Sequence, residues 1–240
     1  VEDNLAFQAR LAGRLDPAWQ GQLVERLGLG DLLRRYPEQL SGVAGIMMIS
    51  LAVTAFIWWP RSPLDLGVGH RLLTSGTLEA WRNGDLVVLV RHEERCDRSN
   101  NPCLGPSDGL TTLGSLSASA VGKAFQTLGM ENTDVLSSPT TRTAQTSLFM
   151  FGKAELSPGP LAICGPAIGE ELRPHKHADR NLLVVTHSAC ISDFEEALGY
   201  SHAAHAEYGS ALFVKLLPDG KFKALGILNS KDWAAVLKQL

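Results

Sequence analysis

The chain has 240 residues, of which 45 % are hydrophobic and 20 % charged, and its formal net charge is −3. That composition belongs to globular proteins and excludes a disordered or collagen-like chain. The mildly acidic balance also excludes a broad basic face for non-specific nucleic-acid binding, so no nucleic-acid partner is expected.

Residues 1–40 carry apolar side chains at helical spacing in "LAFQARLAGRL" and "WQGQLVERLGLGDLLRRY". Two short amphipathic helices meeting at Asp16-Pro17 are expected, since proline suits a first helical turn. Such an arm would lie on a membrane surface or pack against a protein partner. From Gln39 to Pro60 there is no charged side chain. Residues 41–60, "SGVAGIMMISLAVTAFIWWP", would form a helix roughly 27–30 Å long, about the thickness of a bilayer's hydrocarbon core. Trp58 and Trp59 stand where amphipathic rings favour the membrane interface. Arg26, Arg34 and Arg35 before the run outnumber Arg61 and Arg71 after it. A transmembrane anchor is therefore expected, N-terminus inward and the bulk of the chain outside. A secretory signal segment and a buried core helix are the two alternatives. Residues 61–84, with Pro60, Pro63 and several glycines, read as a linker.

Residues 85–240 alternate strands and helices. "LVVLV" (86–90) is continuous and apolar, as a strand covered on both faces should be. A helix is expected over 112–129, a short strand in "DVLSS" (134–138), and a helix over 140–152 ending at Gly152. "NLLVVTH" (181–187) is a second buried strand, and 188–199 an amphipathic helix closed by glycine. Residues 210–227 read as a hairpin turning at Pro218-Asp219-Gly220. The fold class is α/β: three layers, a mostly parallel central sheet flanked by helices.

Three strand ends attract attention. The first delivers Arg91 and His92, the second is followed by Arg142 in the first turn of a helix, and the third delivers His187. Ligands of open α/β sheets bind beyond the carboxyl ends of strands. Helix N-termini there favour anions, and guanidinium forks match phosphate oxygens in pairs. Two histidines and several arginines converging on one pocket are chemistry for holding a phosphoryl group.

"LVRHEER", "SSPTTRTAQT" and "LLVVTHS" in series resemble the three signatures of the histidine phosphatase superfamily, which has a phosphoglycerate-mutase-like fold; the match covers about residues 85–228. The resemblance implies His92 as nucleophile, forming a phosphohistidine. Arg91, Arg142 and His187 would hold the phosphoryl oxygens, with Arg95 as a further clamp. No metal and no organic cofactor are called for. Glu93 departs from the family's Arg-His-Gly, and a carboxylate there should repel substrate unless it points away or pairs with an arginine. Many members carry a proton-donating glutamate some tens of residues after the second-motif arginine. Glu170 and Glu171, 28 and 29 residues after Arg142, are the candidates, with Glu94 or water as the substitutes.

"RHEERCDRSNNPCL", Cys164-Gly165 and "VVTHSACI" are similar to one branch, the Ais-type lipopolysaccharide core heptose(II)-phosphate phosphatases. That resemblance implies a sugar phosphate on a lipid-linked glycan as substrate and a periplasmic catalytic domain on a single-pass inner-membrane anchor. It also bears on the four cysteines. In an oxidising compartment Cys96 and Cys103 should pair, as should Cys164 and Cys190; the alternatives are four free thiols in a cytosolic domain and metal binding, against which no Cys-x-x-Cys spacing occurs. His175 with His177, and His202 with His205, have spacings that metals use, but read more simply as surface histidines. The alternative functions are another sugar-phosphate or phosphoprotein phosphatase of the same superfamily, or a catalytically inactive membrane-anchored binding module.

Overall fold

The structure is a computed structural model that describes residues 62–156 and 164–240, together with Val24–Arg26, Gly28, Gly30, Ile49 and Ser50. The expected amphipathic arm of residues 1–40 and anchor of residues 41–60 lie almost wholly outside the described residues. Among the described residues no helix is long and apolar enough to cross a membrane. Residues 62–240 belong to one compact unit, Pro60–Leu240.

Five strands form the sheet: β1 (Leu86–Arg91), β2 (Thr133–Ser137), β3 (Asn181–Thr186), β4 (Ala211–Leu216) and β5 (Phe222–Leu228), in the order β2-β3-β1-β4-β5. β2, β3 and β1 pair in parallel, and β4 pairs antiparallel with both β1 and β5. The sheet is thus mixed rather than purely parallel. The hairpin β4–β5 extends the parallel half, and its turn holds Gly220 at φ 81°.

The apolar runs are continuous because both faces are covered. Leu86, Val88 and Val90 of β1 with Leu183 and Val185 of β3 face one hydrophobic cluster; Val87 and Leu89 with Leu182 and Val184 face the other. The first cluster is closed by helices α1 (Arg71–Thr74), α2 (Thr77–Arg82), α3 (Thr112–Leu128), α4 (Thr141–Phe151) and α7 (Trp233–Leu237). The second is closed by α5 (Ile168–Leu172) and α6 (Ser188–Ala197). These make the expected three layers. Helix α3 starts at Thr111, whose hydroxyl accepts from the Gly114 N–H at 2.9 Å and so satisfies one of the free donors of the first turn. A side chain on Gly122 would run into the Met150 backbone, so glycine lets α3 and α4 approach closely.

Residues 62–84 correct the linker expectation: they are packed into the domain. Leu66, Leu72 and Trp81 are core residues, at 0 %, 2 % and 3 % exposure. Asn181 fixes this segment to the sheet. Its side chain accepts from the Leu86 N–H at 3.1 Å and donates to the Trp81 carbonyl at 2.8 Å. A tryptophan and scattered leucines among glycines and prolines are enough apolar surface to dock, although no periodicity announces them.

Phe125 is the hub of the larger cluster, fully buried against Trp81, Phe151, Phe213 and Trp233. Phe125→Ala should cost about 3–5 kcal/mol. Thermal unfolding should show a fall in Tm of about 10 °C; a shift under about 2 °C would contradict this hub.

Candidate active site

The C-terminal ends of β1, β2 and β3 open at one edge of the sheet. Arg91 closes β1, and the His92 N–H continues the ladder by donating to the Thr186 carbonyl at 2.9 Å. His187 is the N-cap residue of α6 directly after β3. Ser138 follows β2, and its N–H donates to the Val185 carbonyl at 3.0 Å. Arg142 lies in the first turn of α4, whose Thr143 hydroxyl bonds back to the Ser138 carbonyl at 2.6 Å. The parallel pairing of three strands therefore places residues from four sequence regions around one spot.

Their geometry sets the chemistry. His92 Nδ1 lies 2.8 Å from the Glu93 carbonyl oxygen. That oxygen only accepts, so Nδ1 carries the proton and Nε2 keeps its lone pair. The His92 and His187 rings stand 5.4 Å apart, edge to face at 68°. Arg142 Nη2 donates to His187 Nδ1 at 3.3 Å, so the Nε2–H of His187 donates to the Ser138 hydroxyl at 3.1 Å. Arg91 Nη1 donates to the Ala206 carbonyl at 2.6 Å, and its Cζ lies 4.0 Å from the centroid of the Tyr208 ring. The Nε atoms of both Arg91 and Arg142 are buried and have no hydrogen-bond partner. An oxyanion brought to either group would satisfy a donor that the protein leaves unpaired.

The electrostatics agree with an anion site. Burial pushes His92 down to about 3, reinforced by the charges of His187, Arg142 and Arg91 and opposed by the Glu93 carbonyl. Burial, then Arg142, Arg95 and Arg91, pushes His187 down to about 4. Both imidazoles are neutral near neutral pH, which leaves His92 Nε2 nucleophilic. Burial and neighbouring Arg95 hold Arg142 below the usual guanidinium range. A bound anion would relieve this crowding of positive charge.

Glu93 is the family departure, and its place is informative. Its carboxyl is 3 % exposed and turned against Gly209 and Ser230. Burial raises it to about 7, so near neutral pH a large part of it is uncharged and its repulsion of a phosphate is reduced. Glu94 accepts from Thr111 at 2.7 Å and Asn101 at 2.9 Å, which hold it below the usual carboxylate range. It braces the start of α3. Arg95 is paired with Asp97, yet its charge reaches Arg91, Arg142 and His187.

The structure does not bring Glu170 or Glu171 to this cluster. Glu170 is exposed and paired with Arg173 at 2.8 Å, and Arg173 in turn donates to the Gly220 carbonyl. Gly220 lies in the β4–β5 turn, beyond the Lys215–Leu86 end of the sheet, and β1 separates it from His92. Six residues of strand span roughly 17–20 Å. Both glutamates ride on α5 on that flank, and a count of residues after Arg142 carries no information about which end of the sheet is reached.

Ser138, Thr146 and Tyr208 complete the surroundings. Thr146 accepts from the Glu93 N–H at 3.0 Å and donates to the Arg142 carbonyl at 2.8 Å, tying the first motif to the second. Ser138 and Thr146 stand inside the quoted second motif, but nothing in the sequence marks Tyr208. Both disulfides are present, Cys96–Cys103 in the loop after His92 and Cys164–Cys190 at α6.

No family model matches the chain. Among curated proteins it is 31 % identical over 199 residues to the lipopolysaccharide core heptose(II)-phosphate phosphatase of Salmonella schwarzengrund (strain CVM19633), covering 76 % of this chain and 92 % of the relative. The protein of the same name from Salmonella enteritidis PT4 (strain P125109) is 31 % identical over 196 residues, 75 % of this chain and 90 % of the relative. Among solved structures, a phosphoserine phosphatase from Entamoeba histolytica superposes with a TM-score of 0.48 at 13 % identity, over 61 % of this chain and 98 % of that one. A phosphoglycerate mutase from Bacillus anthracis str. Sterne gives 0.47 at 17 % identity, over 65 % and 99 %.

With both imidazoles depressed, the ring carbon signals of His92 and His187 in NMR should not titrate between pH 5 and 8. Protonation should be centred on about 3 for His92 and about 4 for His187. A midpoint near the ordinary value of about 6.5 for either ring would contradict the burial argument.

Proposed function

The chain belongs to the lipopolysaccharide core heptose(II)-phosphate phosphatase family, and from that premise we propose that it hydrolyses a heptose phosphate of the lipopolysaccharide core through a phosphohistidine on His92. The observation that carries the reading is the pair of buried, unpartnered guanidinium Nε atoms of Arg91 and Arg142 beside a neutral His92.

The phosphoryl group enters between Arg91 and Arg142, with the more distant charge of Arg95 adding attraction. His92 Nε2 attacks phosphorus as the bond to the sugar oxygen breaks. The guanidinium groups stabilise charge on the equatorial oxygens as it develops. Arg142 turns from His187 to the phosphate, and the freed His187 shifts its proton to Nδ1, which donates to the same oxygens while Nε2 accepts from the Ser138 hydroxyl. Water then attacks the phosphohistidine, releasing inorganic phosphate and restoring His92.

The sugar oxygen leaves as a hydroxyl and needs a proton. Glu93 is enclosed against Gly209, Glu94 is held ionised by Thr111 and Asn101, and Asp97 is occupied by Arg95. The phosphate monoanion supplies its own proton: the second ionisation of a phosphomonoester lies at about 6. Turnover on alkyl phosphates is then favoured on the acid side of neutrality, where His92 stays neutral.

The disulfides Cys96–Cys103 and Cys164–Cys190 support a periplasmic domain, because such bridges persist in oxidising compartments. The uncharged stretch over residues 41–60 supports a single-pass inner-membrane anchor, and the amphipathic residues 1–40 a cytoplasmic arm for a protein partner. Anchoring would hold the enzyme near a lipid-linked substrate.

The full chain should release phosphate from core oligosaccharide carrying heptose phosphate, with kcat/KM highest at about pH 4–6 and falling above the substrate's second ionisation. His92→Ala should abolish release, and Arg142→Ala should lower kcat by about 10²–10³-fold. Equal inactivity of wild type and His92→Ala across that range would favour the binding-module alternative.

A further inference from the structure

We infer that Tyr208 seats the sugar ring of the substrate, making this site selective for pyranose phosphates over acyclic phosphate esters. The inference rests on the hydrolase reading above and deepens it from phosphate recognition to leaving-group recognition.

Tyr208 sits in the turn before β4, among residues 206–210 that are otherwise mostly buried; its own ring is half-buried. The Arg91 guanidinium covers the ring at 4.0 Å, and the His92 ring centroid lies 5.8 Å away at 46°. The electrostatic influence of the phenol reaches Arg142 as well as Arg91. One aromatic side chain therefore borders His92 and the Arg91 guanidinium and lies within electrostatic reach of Arg142, and none of the steps above uses it.

Its position is built rather than incidental. Arg91 Nη1 donates to the Ala206 carbonyl at 2.6 Å, and the Gly209 N–H donates to the Arg91 carbonyl at 3.2 Å. The Ser210 N–H closes the turn on the Glu207 carbonyl at 3.1 Å, and the Ser210 hydroxyl donates to Asn229 at 2.8 Å. Gly209 has φ 67° and packs directly on the Glu93 carboxyl, so no other residue fits there without moving Glu93. Glu93 thereby buttresses the turn that presents Tyr208.

An aromatic ring face is electron-rich, and its edge is electron-poor. The axial C–H bonds of a pyranose carry slight positive charge and form a flat apolar patch that packs on such a face. Tyr loses little conformational freedom when it does so, having two side-chain torsions already constrained here by Arg91. Arg91 covers one side of the ring, and the His92 ring stands 5.8 Å from it; the first ring of the leaving group packs against the side that Arg91 does not cover. An acyclic ester offers no such face.

The test compares the full chain with Tyr208→Ala and Tyr208→Phe on mannose 1-phosphate and on glycerol 2-phosphate, with inhibition by inorganic phosphate as the sugar-free control. Tyr208→Ala should lose about five- to tenfold in kcat/KM on the pyranose ester, mainly through KM, matching the worth of an aromatic contact. Its loss on the glycerol ester and in phosphate inhibition should stay below about threefold, and Tyr208→Phe should keep the wild-type preference. Equal losses on both esters and on phosphate would overturn the inference, because the ring would then only prop Arg91. A Tyr208→Phe variant as poor as Tyr208→Ala would also overturn it, assigning the effect to the hydroxyl. The same comparison is read independently by calorimetric Kd. Absent turnover with the binding preference intact would sink the hydrolase reading alone; equal affinity of wild type and Tyr208→Ala for the pyranose ester would sink this inference alone.

Discussion

Two guanidinium groups are held close to two neutral imidazoles with buried nitrogens left unpartnered, and the architecture around the site serves that strained crowding of charge. A buried donor without an acceptor costs about 1–3 kcal/mol. An apolar alternative would fold with less penalty. The arrangement makes sense when an oxyanion completes it, because the same groups then gain charge-assisted hydrogen bonds and an opposite charge offsets the repulsion that Arg95 exerts on each. The cores hold these groups in place. The hub around Phe125 and the two-faced strands β1 and β3 supply that support.

Hydrogen bonds between distant segments convert support into alignment. Thr146 joins the Glu93 N–H to the Arg142 carbonyl, and Ser138 joins β2 to His187. The Cys96–Cys103 bridge and the Glu94 contacts to Thr111 and Asn101 stiffen the loop that follows His92. Glu93 illustrates how a departure is accommodated. The glutamate is buried, holds its proton more tightly for that reason, and is matched by a glycine at position 209 that makes room. The carboxyl has become packing material under the turn that carries Tyr208.

Much of this was readable from residues alone, for physical reasons. The strands β1 and β3 are fully covered, so their apolar runs are unbroken and unmistakable. Arg91, His92, Arg142 and His187 stand at strand ends or a helix start, where side-chain direction follows from the backbone. Other features left no such trace. Residues 62–84 hold too few apolar positions to show a period, yet Leu66 and Trp81 bury completely or nearly so once Asn181 pins the segment. Glu170 and Glu171 fit a family spacing, but the placement of α5 depends on crossing to the other face of the sheet, which no local pattern encodes. Tyr208 reaches the site through a turn more than a hundred residues after His92, and only the antiparallel register of β4 on β1 brings it there.

The account turns on a covalent bond between phosphorus and His92 Nε2. Rapid quenching of the full chain with labelled phosphomonoester, followed by peptide mapping under alkaline conditions, tests it directly. The account predicts a phosphoryl group on the peptide that carries His92, stable to base, labile to acid, and missing from His92→Ala. Turnover with no label on His92, or label on another residue, would contradict it.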